Sequence, residues 1–154
     1  MLRLYPSFPI PAVSALIIRN DEILLVKRGA SPGKGLWSLP GGVIEVGEDA
    51  QSALIREVFE ETHLKIEVDD LFAVLQYVEL DPEDKVRYHY LILVFKCHAI
   101  GSSKPHPRTD ALEVRWVKTS SALLYELTKT SRIILEKLHK SFDRLYLGTI
   151  ISRG

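Results

Sequence analysis

Residues 42–64 read GVIEVGEDAQSALIREVFEETHL, and the reading of the whole chain turns on this stretch. It follows the turn Leu39-Pro40-Gly41-Gly42 and carries its acidic residues at helical spacing. Successive residues of an α-helix turn by about 100°, so Glu57 and Glu61 fall one turn apart on one face, with Glu60 flanking them. Leu54, Ile55 and Val58 are expected to point the other way and dock the helix on a core. Ala50 and Ala53 precede the acidic stripe on nearly the same face, leaving room for a loop or a ligand. Glu48 and Asp49 stand where the first turn begins, which suits its orphan amides and the positive end of the dipole. Arg56, beside Glu57, has the planar fork that holds a carboxylate and keeps it ionised.

Like charges at this spacing cost an isolated helix about 0.2–0.5 kcal/mol per pair, so an uncompensated cluster calls for a cation. Hard divalent ions prefer oxygen ligands, and Mg²⁺ keeps waters and bridges to substrate phosphates. A solvated surface helix with scattered charges is the plain alternative. It explains any one glutamate, but not the joint set behind a Pro-Gly-Gly turn.

The spacing G-x5-E-x7-R-E-U-x-E-E-x-G-U, present here with one departure, resembles the signature of the Nudix hydrolases. That resemblance implies an α/β/α sandwich with a mixed central sheet, Mg²⁺ with Mn²⁺ as the alternative ion, and attack of water on a pyrophosphate. By position it implies Glu60 and Glu61 as principal metal ligands, joined by the Gly41 carbonyl. Glu57 matches a position that ligates metal or serves as general base, and Glu48 and Arg56 match supporting positions. The departure is His63, where the signature has its second glycine. That glycine ends the helix in a left-handed conformation that is cheap without a Cβ. Histidine enters this region more readily than most residues, so the helix end is expected to survive with modest strain.

A chain of 154 residues, 46% hydrophobic, has material for one substantial core, and one domain over residues 1–154 is expected. Twenty basic residues balance twenty acidic ones, so no overall field draws the protein to nucleic acid polymers or anionic membranes. Cys97, the single cysteine, excludes an internal disulfide and reads as a packed thiol in the apolar run Tyr90–Cys97. No charged-then-apolar leader or long apolar span is present, so a cytoplasmic protein without membrane attachment is expected.

Along the chain, Pro11–Arg19 and Glu22–Lys27 read as a hairpin about Asn20-Asp21, and residues 28–35 as a Gly- and Pro-bearing loop. Lys65–Val68, Leu71–Leu80, Arg87–His98 and Leu112–Val117 are further strands. A short helix is expected after Ser120 or Ser121, and a longer one from Thr130-Ser131 to about Leu145.

Outside the signature, the runs 86–95 and 110–117 resemble a Nudix subgroup of ADP-ribose pyrophosphatases. The resemblance covers most of residues 12–130 and implies a small-molecule nucleotide substrate, with ADP-ribose cleaved to AMP and ribose 5-phosphate. Arg28 is the phosphate candidate. Tyr90 and Trp116, with Tyr88, are candidates for stacking a base, although aromatic residues in strands are mostly core. Glu113 and Asp110 lie where a loop could add an acidic group to the metal or the attacking water. His89 reads as a structural histidine, and His98, His106 and His139 have no clustered carboxylates or cysteines nearby in sequence, so no zinc site is expected. Two other functions fit the same helix: pyrophosphohydrolysis of nucleoside triphosphates, oxidised purines included, and a non-catalytic nucleotide-binding module. The apolar N-terminal segment and the habits of the family make a homodimer the expected assembly.

Overall fold

The computed structural model describes residues 3–154. The strands are β1 (Ile10–Arg19), β2 (Glu22–Arg28), β3 (Trp37–Ser38), β4 (Gly41–Val43), β5 (Lys65–Leu80), β6 (Val86–Ile100), β7 (Ala111–Lys118) and β8 (Tyr146–Ser152). The helices are α1 (Ala50–Thr62), α2 (Thr119–Ala122) and α3 (Lys129–Lys140). The strands form one mixed sheet in the order β3-β2-β1-β6-β5-β8, with β4 paired to β1 and β7 to β2.

Alternation along β1 and β2 shows why this sheet must be covered on both faces. Ala12, Leu16, Ile23 and Leu25 join a cluster with Ile134 and Leu135 of α3. Val13, Ala15, Ile17 and Leu24 join a second cluster with Ala53, Leu54 and Val58 of α1. Strands buried on both faces read as nearly continuous apolar runs, as β1 and β2 do. The result is the expected α/β/α layering with a mixed sheet. Among the described residues, no helix is long and apolar enough to cross a membrane.

Six local expectations change, two of them helix starts: α2 begins at Thr119, ahead of Ser120 and Ser121, and α3 at Lys129, ahead of Thr130-Ser131. Lys65–Val68 and Leu71–Leu80 are one strand, β5, which passes its polar Asp69-Asp70 step through register shifts at Val68/Asp70 and Leu71/Ala73. Such bulges keep a strand paired while absorbing an extra residue. The last long helix ends at Lys140, where Ser141 takes a left-handed conformation at φ 52°. The chain then turns into β8, which lies parallel to β5. Ile55 is 42% exposed, and Ala53 is fully buried against the core, so the apolar face of α1 is rotated from the expected one. Buried Lys137 ties α3 to its surroundings, its Nζ donating to the carbonyls of Phe72 at 2.6 Å and Arg144 at 2.8 Å.

Candidate active site

Helix α1 is fixed at both ends by side chains. At its start Asp49 is the N-cap, Oδ1 accepting from the Ser52 amide at 2.8 Å. Glu48 instead accepts from the Glu45 amide at 3.0 Å and turns its carboxylate to Arg56. At its end His63 adopts φ 64°, ψ 11°, the left-handed conformation expected of the missing glycine, and its amide donates to the Phe59 carbonyl. Its ring stacks on His106 with centroids 4.8 Å apart, and its Nδ1 lies 2.7 Å from Arg108 Nη1. The loop bearing those partners also caps the helix: the amides of His106 and Arg108 donate to the carbonyls of Thr62 and Glu61. The cost of a Cβ at a left-handed position is thus offset by contacts that glycine lacks.

Glu61 bonds elsewhere, while Arg56 holds three of the acidic side chains, Glu48, Glu57 and Glu60. Its Nε and Nη2 grip Glu48 at 2.6 and 2.8 Å, Nη1 reaches Glu57 at 2.9 Å and Glu60 at 3.3 Å, and Nη2 also donates to the Val43 carbonyl at 3.2 Å. This fork lowers the Glu48 carboxyl to about 2. Glu61 sits across the turn, where Oε1 accepts from the Gly41 amide at 3.1 Å. Its carboxyl is withdrawn from water, and this desolvation raises it to about 8, against the relief given by the Gly41 amide. Desolvation also raises Glu57, opposed by Arg56.

One oxygen on each of Glu57, Glu60 and Glu61 accepts no hydrogen bond among the described residues. Two of these carboxyls are held in surroundings that disfavour their charge, with oxygens to spare, and that donor set fits a hard divalent cation. Among the described residues no three such side chains converge on one point, so substrate and water oxygens would complete a shell. Gly42 has no Cβ for a local reason: one built there would stand 2.3 Å from the Glu57 carboxyl carbon. At Gly41 a Cβ would stand 2.0 Å from the Val13 carbonyl oxygen, on the neighbouring strand.

Gly41 and Gly42 also wall a cleft of about 250 Å³ that opens on the α3 side of the sheet. Arg28 lines it, with Nε donating to the Pro32 carbonyl at 2.6 Å, and its charge favours the ionised form of Glu61. Tyr90 lines it as well, and is at the same time core, 9% exposed and stacked on Tyr88 at 6.2 Å. Arg28, Tyr90 and the α1 carboxylates are therefore brought together around one turn.

Two candidates lie elsewhere. Trp116 packs beside the α1 cluster, beneath the Arg19 guanidinium at 3.9 Å, and does not line the cleft. Glu113 is exposed on β7, 3.0 Å from Arg115, and also lies outside the cleft wall. Asp110 is placed near the site: its carbonyl accepts from the Gly29 amide at 2.7 Å, and its carboxylate charge acts on Glu61, opposing ionisation there. His89 is satisfied by Gln76 at 3.0 Å. His98 has carboxylate neighbours that its sequence surroundings conceal, because strand pairing brings Asp69 to 2.9 Å and Glu67 to 3.2 Å. Cys97 is buried and free. Sequence reasoning missed Glu79, Ser38 and the first turn of α3, all of which line the cleft. The start of α3 is expected from sequence at Thr130-Ser131, whereas Thr128 is its N-cap.

Comparison with known proteins bears on the fold and the family. An ADP-ribose pyrophosphatase of Methanocaldococcus jannaschii is 40% identical over 99 residues, 64% of this chain and 56% of that protein. A MutT-like protein of Streptomyces ambofaciens is 32% identical over 106 residues, 69% of this chain and 62% of its own length. The chain thus spans about three fifths of the length of these relatives. The crystal structure of a MutT NUDIX hydrolase from Burkholderia pseudomallei superposes with a TM-score of 0.74 at 29% identity, covering 86% of this chain and 99% of that one. The NUDIX domain family matches residues 9–138, and with the carboxylate-bearing helix and its glycine turn in place, the chain belongs to that family.

Proposed function

We propose that the protein is a pyrophosphatase that hydrolyses a nucleoside diphosphate linked to a further moiety, with ADP-ribose as the first substrate to test. The observation that carries this is the turn Gly41-Gly42, with open carboxylate oxygens on one side and the Arg28- and Tyr90-lined cleft on the other. The name of the Methanocaldococcus relative supports ADP-ribose within that class.

Glu57, Glu60 and Glu61 are the residues that would hold the divalent ion, and Mg²⁺ is the ion proposed, with Mn²⁺ its substitute. Bound there, the ion offsets diphosphate charge and makes a water molecule more acidic. Everything else falls to side chains. Arg56 orients Glu57 and Glu60 while holding Glu48. Arg28 faces the phosphates with a fixed positive charge. Tyr90 offers a ring edge or face to the base or sugar. Water oxygen bonds to one phosphorus, the bridging P–O bond breaks, and the water proton passes to a carboxylate, either Glu57 or a glutamate of a loop outside α1. With ADP-ribose the products are AMP and ribose 5-phosphate. We also place the enzyme in the cytoplasm as a homodimer acting on small nucleotides.

The test is product analysis with Mg²⁺ against ADP-ribose, sugar nucleotides, dinucleoside polyphosphates and nucleoside triphosphates. AMP from ADP-ribose, lost in Glu61→Gln, supports the proposal. Pyrophosphate released from a triphosphate moves the activity to the second class. Nucleotide binding without turnover assigns a binding module.

A further inference from the structure

Residues 3–9 lead from the cleft wall, which Arg3 lines, to the start of β1 at Ile10. Pro6 and Pro9 stiffen this segment, and Tyr5 pins it. The Tyr5 amide donates to the Arg87 carbonyl, at the start of β6, at 2.8 Å, and its hydroxyl donates to Asp81 Oδ2 at 2.8 Å. Asp81 is 7% exposed, and its other oxygen already accepts from the amides of Glu83 and Lys85, each at 2.9 Å. The turn between β5 and β6 thus presents one fixed carboxylate oxygen, and Tyr5 takes it. Tyr5 also stands at φ 51°, a left-handed conformation costly for a residue with a Cβ and disfavoured further before proline. Backbone of this kind persists only where its surroundings over-determine it, and it gathers at functional sites.

What the pinned segment delivers is Arg3. This side chain lines the cleft together with Gly42, Arg28 and Tyr90. It pairs with no carboxylate among the described residues, and Glu79, the one side-chain carboxylate in the wall, is taken by Tyr77 at 2.8 Å and Arg87 at 3.6 Å. The charge of Arg3 nevertheless reaches the site. Burial raises the Glu57 carboxyl, and Arg3 opposes this after Arg56; burial also raises the Tyr90 hydroxyl, and Arg3 opposes that rise as well. A guanidinium without a counter-ion, acting on both the α1 carboxylates and the Tyr90 ring, has its planar fork open to phosphate oxygens.

We infer that Arg3 is a second phosphate-binding cation of the cleft, acting with Arg28 on the diphosphate, and that Tyr5 and Asp81 position it. This deepens the proposed function and rests on it, since the diphosphate is the ligand. Arg3 meets the phosphates in the ground state and the transition state alike, so it acts on binding rather than on turnover.

Steady-state kinetics with ADP-ribose and Mg²⁺, and calorimetry with α,β-methylene-ADP, whose bridging carbon is not cleaved, test this on wild type, Arg3→Gln, Tyr5→Phe and the double variant. Lys118→Gln, which removes an exposed charge beside Asp21 and outside the cleft wall, controls for net charge. In Arg3→Gln the KM rises and the analogue affinity falls about tenfold, with kcat held within about twofold. Tyr5→Phe moves KM and affinity about threefold the same way, and the double variant matches Arg3→Gln because the anchor acts only through Arg3. An unchanged KM in Arg3→Gln, a loss confined to kcat, the same rise in Lys118→Gln, a Tyr5 effect that adds to that of Arg3, or no analogue binding by wild type overturns the inference. If wild type binds the analogue but hydrolyses no nucleotide, the enzyme reading fails, and the analogue affinities alone decide Arg3.

Discussion

Glu61 sets a pH dependence that can be measured without any substrate. Desolvation raises its carboxyl from 4.5 to about 8, so the native state keeps a proton that the unfolded state releases. A raised carboxyl favours the folded state at low pH, and that advantage is lost as the pH climbs from about 4.5 to about 8. The difference of 3.5 pH units, 8 minus 4.5, at about 1.36 kcal/mol each sets a ceiling of roughly 5 kcal/mol. Relaxation and water entry trim this to roughly 2–4 kcal/mol, or about 4–16 °C in Tm for a chain of this size. In EDTA, wild type should therefore melt that much lower at pH 8.5 than at pH 5. Glu61→Gln keeps the acceptor for the Gly41 amide but has no proton to lose, so its decline should be markedly shallower, with Glu57 supplying the remainder. Mg²⁺ at pH 8.5 should raise the Tm of wild type and leave Glu61→Gln nearly unmoved, because a ligand stabilises only the state that binds it. Parallel pH profiles for the two proteins would refute the burial argument.

Gly42→Ala should fold with a stability change under about 1 kcal/mol, since the clashing carboxylate can swing away, yet lose about 100-fold or more in kcat/KM because Glu57 is displaced. Gly41→Ala meets backbone instead and should lower stability by about 2–4 kcal/mol, read by urea unfolding. Arg56→Lys removes the fork shared by Glu48, Glu57 and Glu60, and should cut kcat by about 10–100-fold with little change in Tm; an unchanged kcat would assign Arg56 no positioning role. His63→Ala keeps the left-handed strain but loses the Arg108 and His106 contacts, so it should destabilise by about 1–2 kcal/mol, whereas His63→Asn should recover part of this.

Much of the site was legible because helix periodicity is local. Glu57, Glu60, Glu61 and Arg56 needed only a 3.6-residue repeat to be placed near one another, and the Asp49 cap needed only its neighbours. What escaped depends on the sheet. Ser38, Glu79 and the first turn of α3 come together across strands β3 and β5 and one helix end, a juxtaposition no spacing along the chain records. The same pairing brings Asp69 to His98, 29 residues away in sequence. Trp116 and Tyr90 look alike as strand aromatics, but register decides that Tyr90 walls the cleft while Trp116 packs with the α1 layer. Strand β8 was hidden because Leu145 continues the apolar pattern of α3, and Ser141 ends that helix without glycine or proline. Ile55 misled for the opposite reason: an apolar residue exposed on a helix is common and carries no local mark.

The central claim is that the carboxylates beside the Gly41-Gly42 turn hold a divalent cation. Electron paramagnetic resonance titration with Mn²⁺, competed by Mg²⁺, reads this directly. Saturable binding to wild type that falls about tenfold or more in Glu61→Gln and again in Glu57→Gln is the predicted result. Equal Mn²⁺ affinity in all three proteins would contradict it.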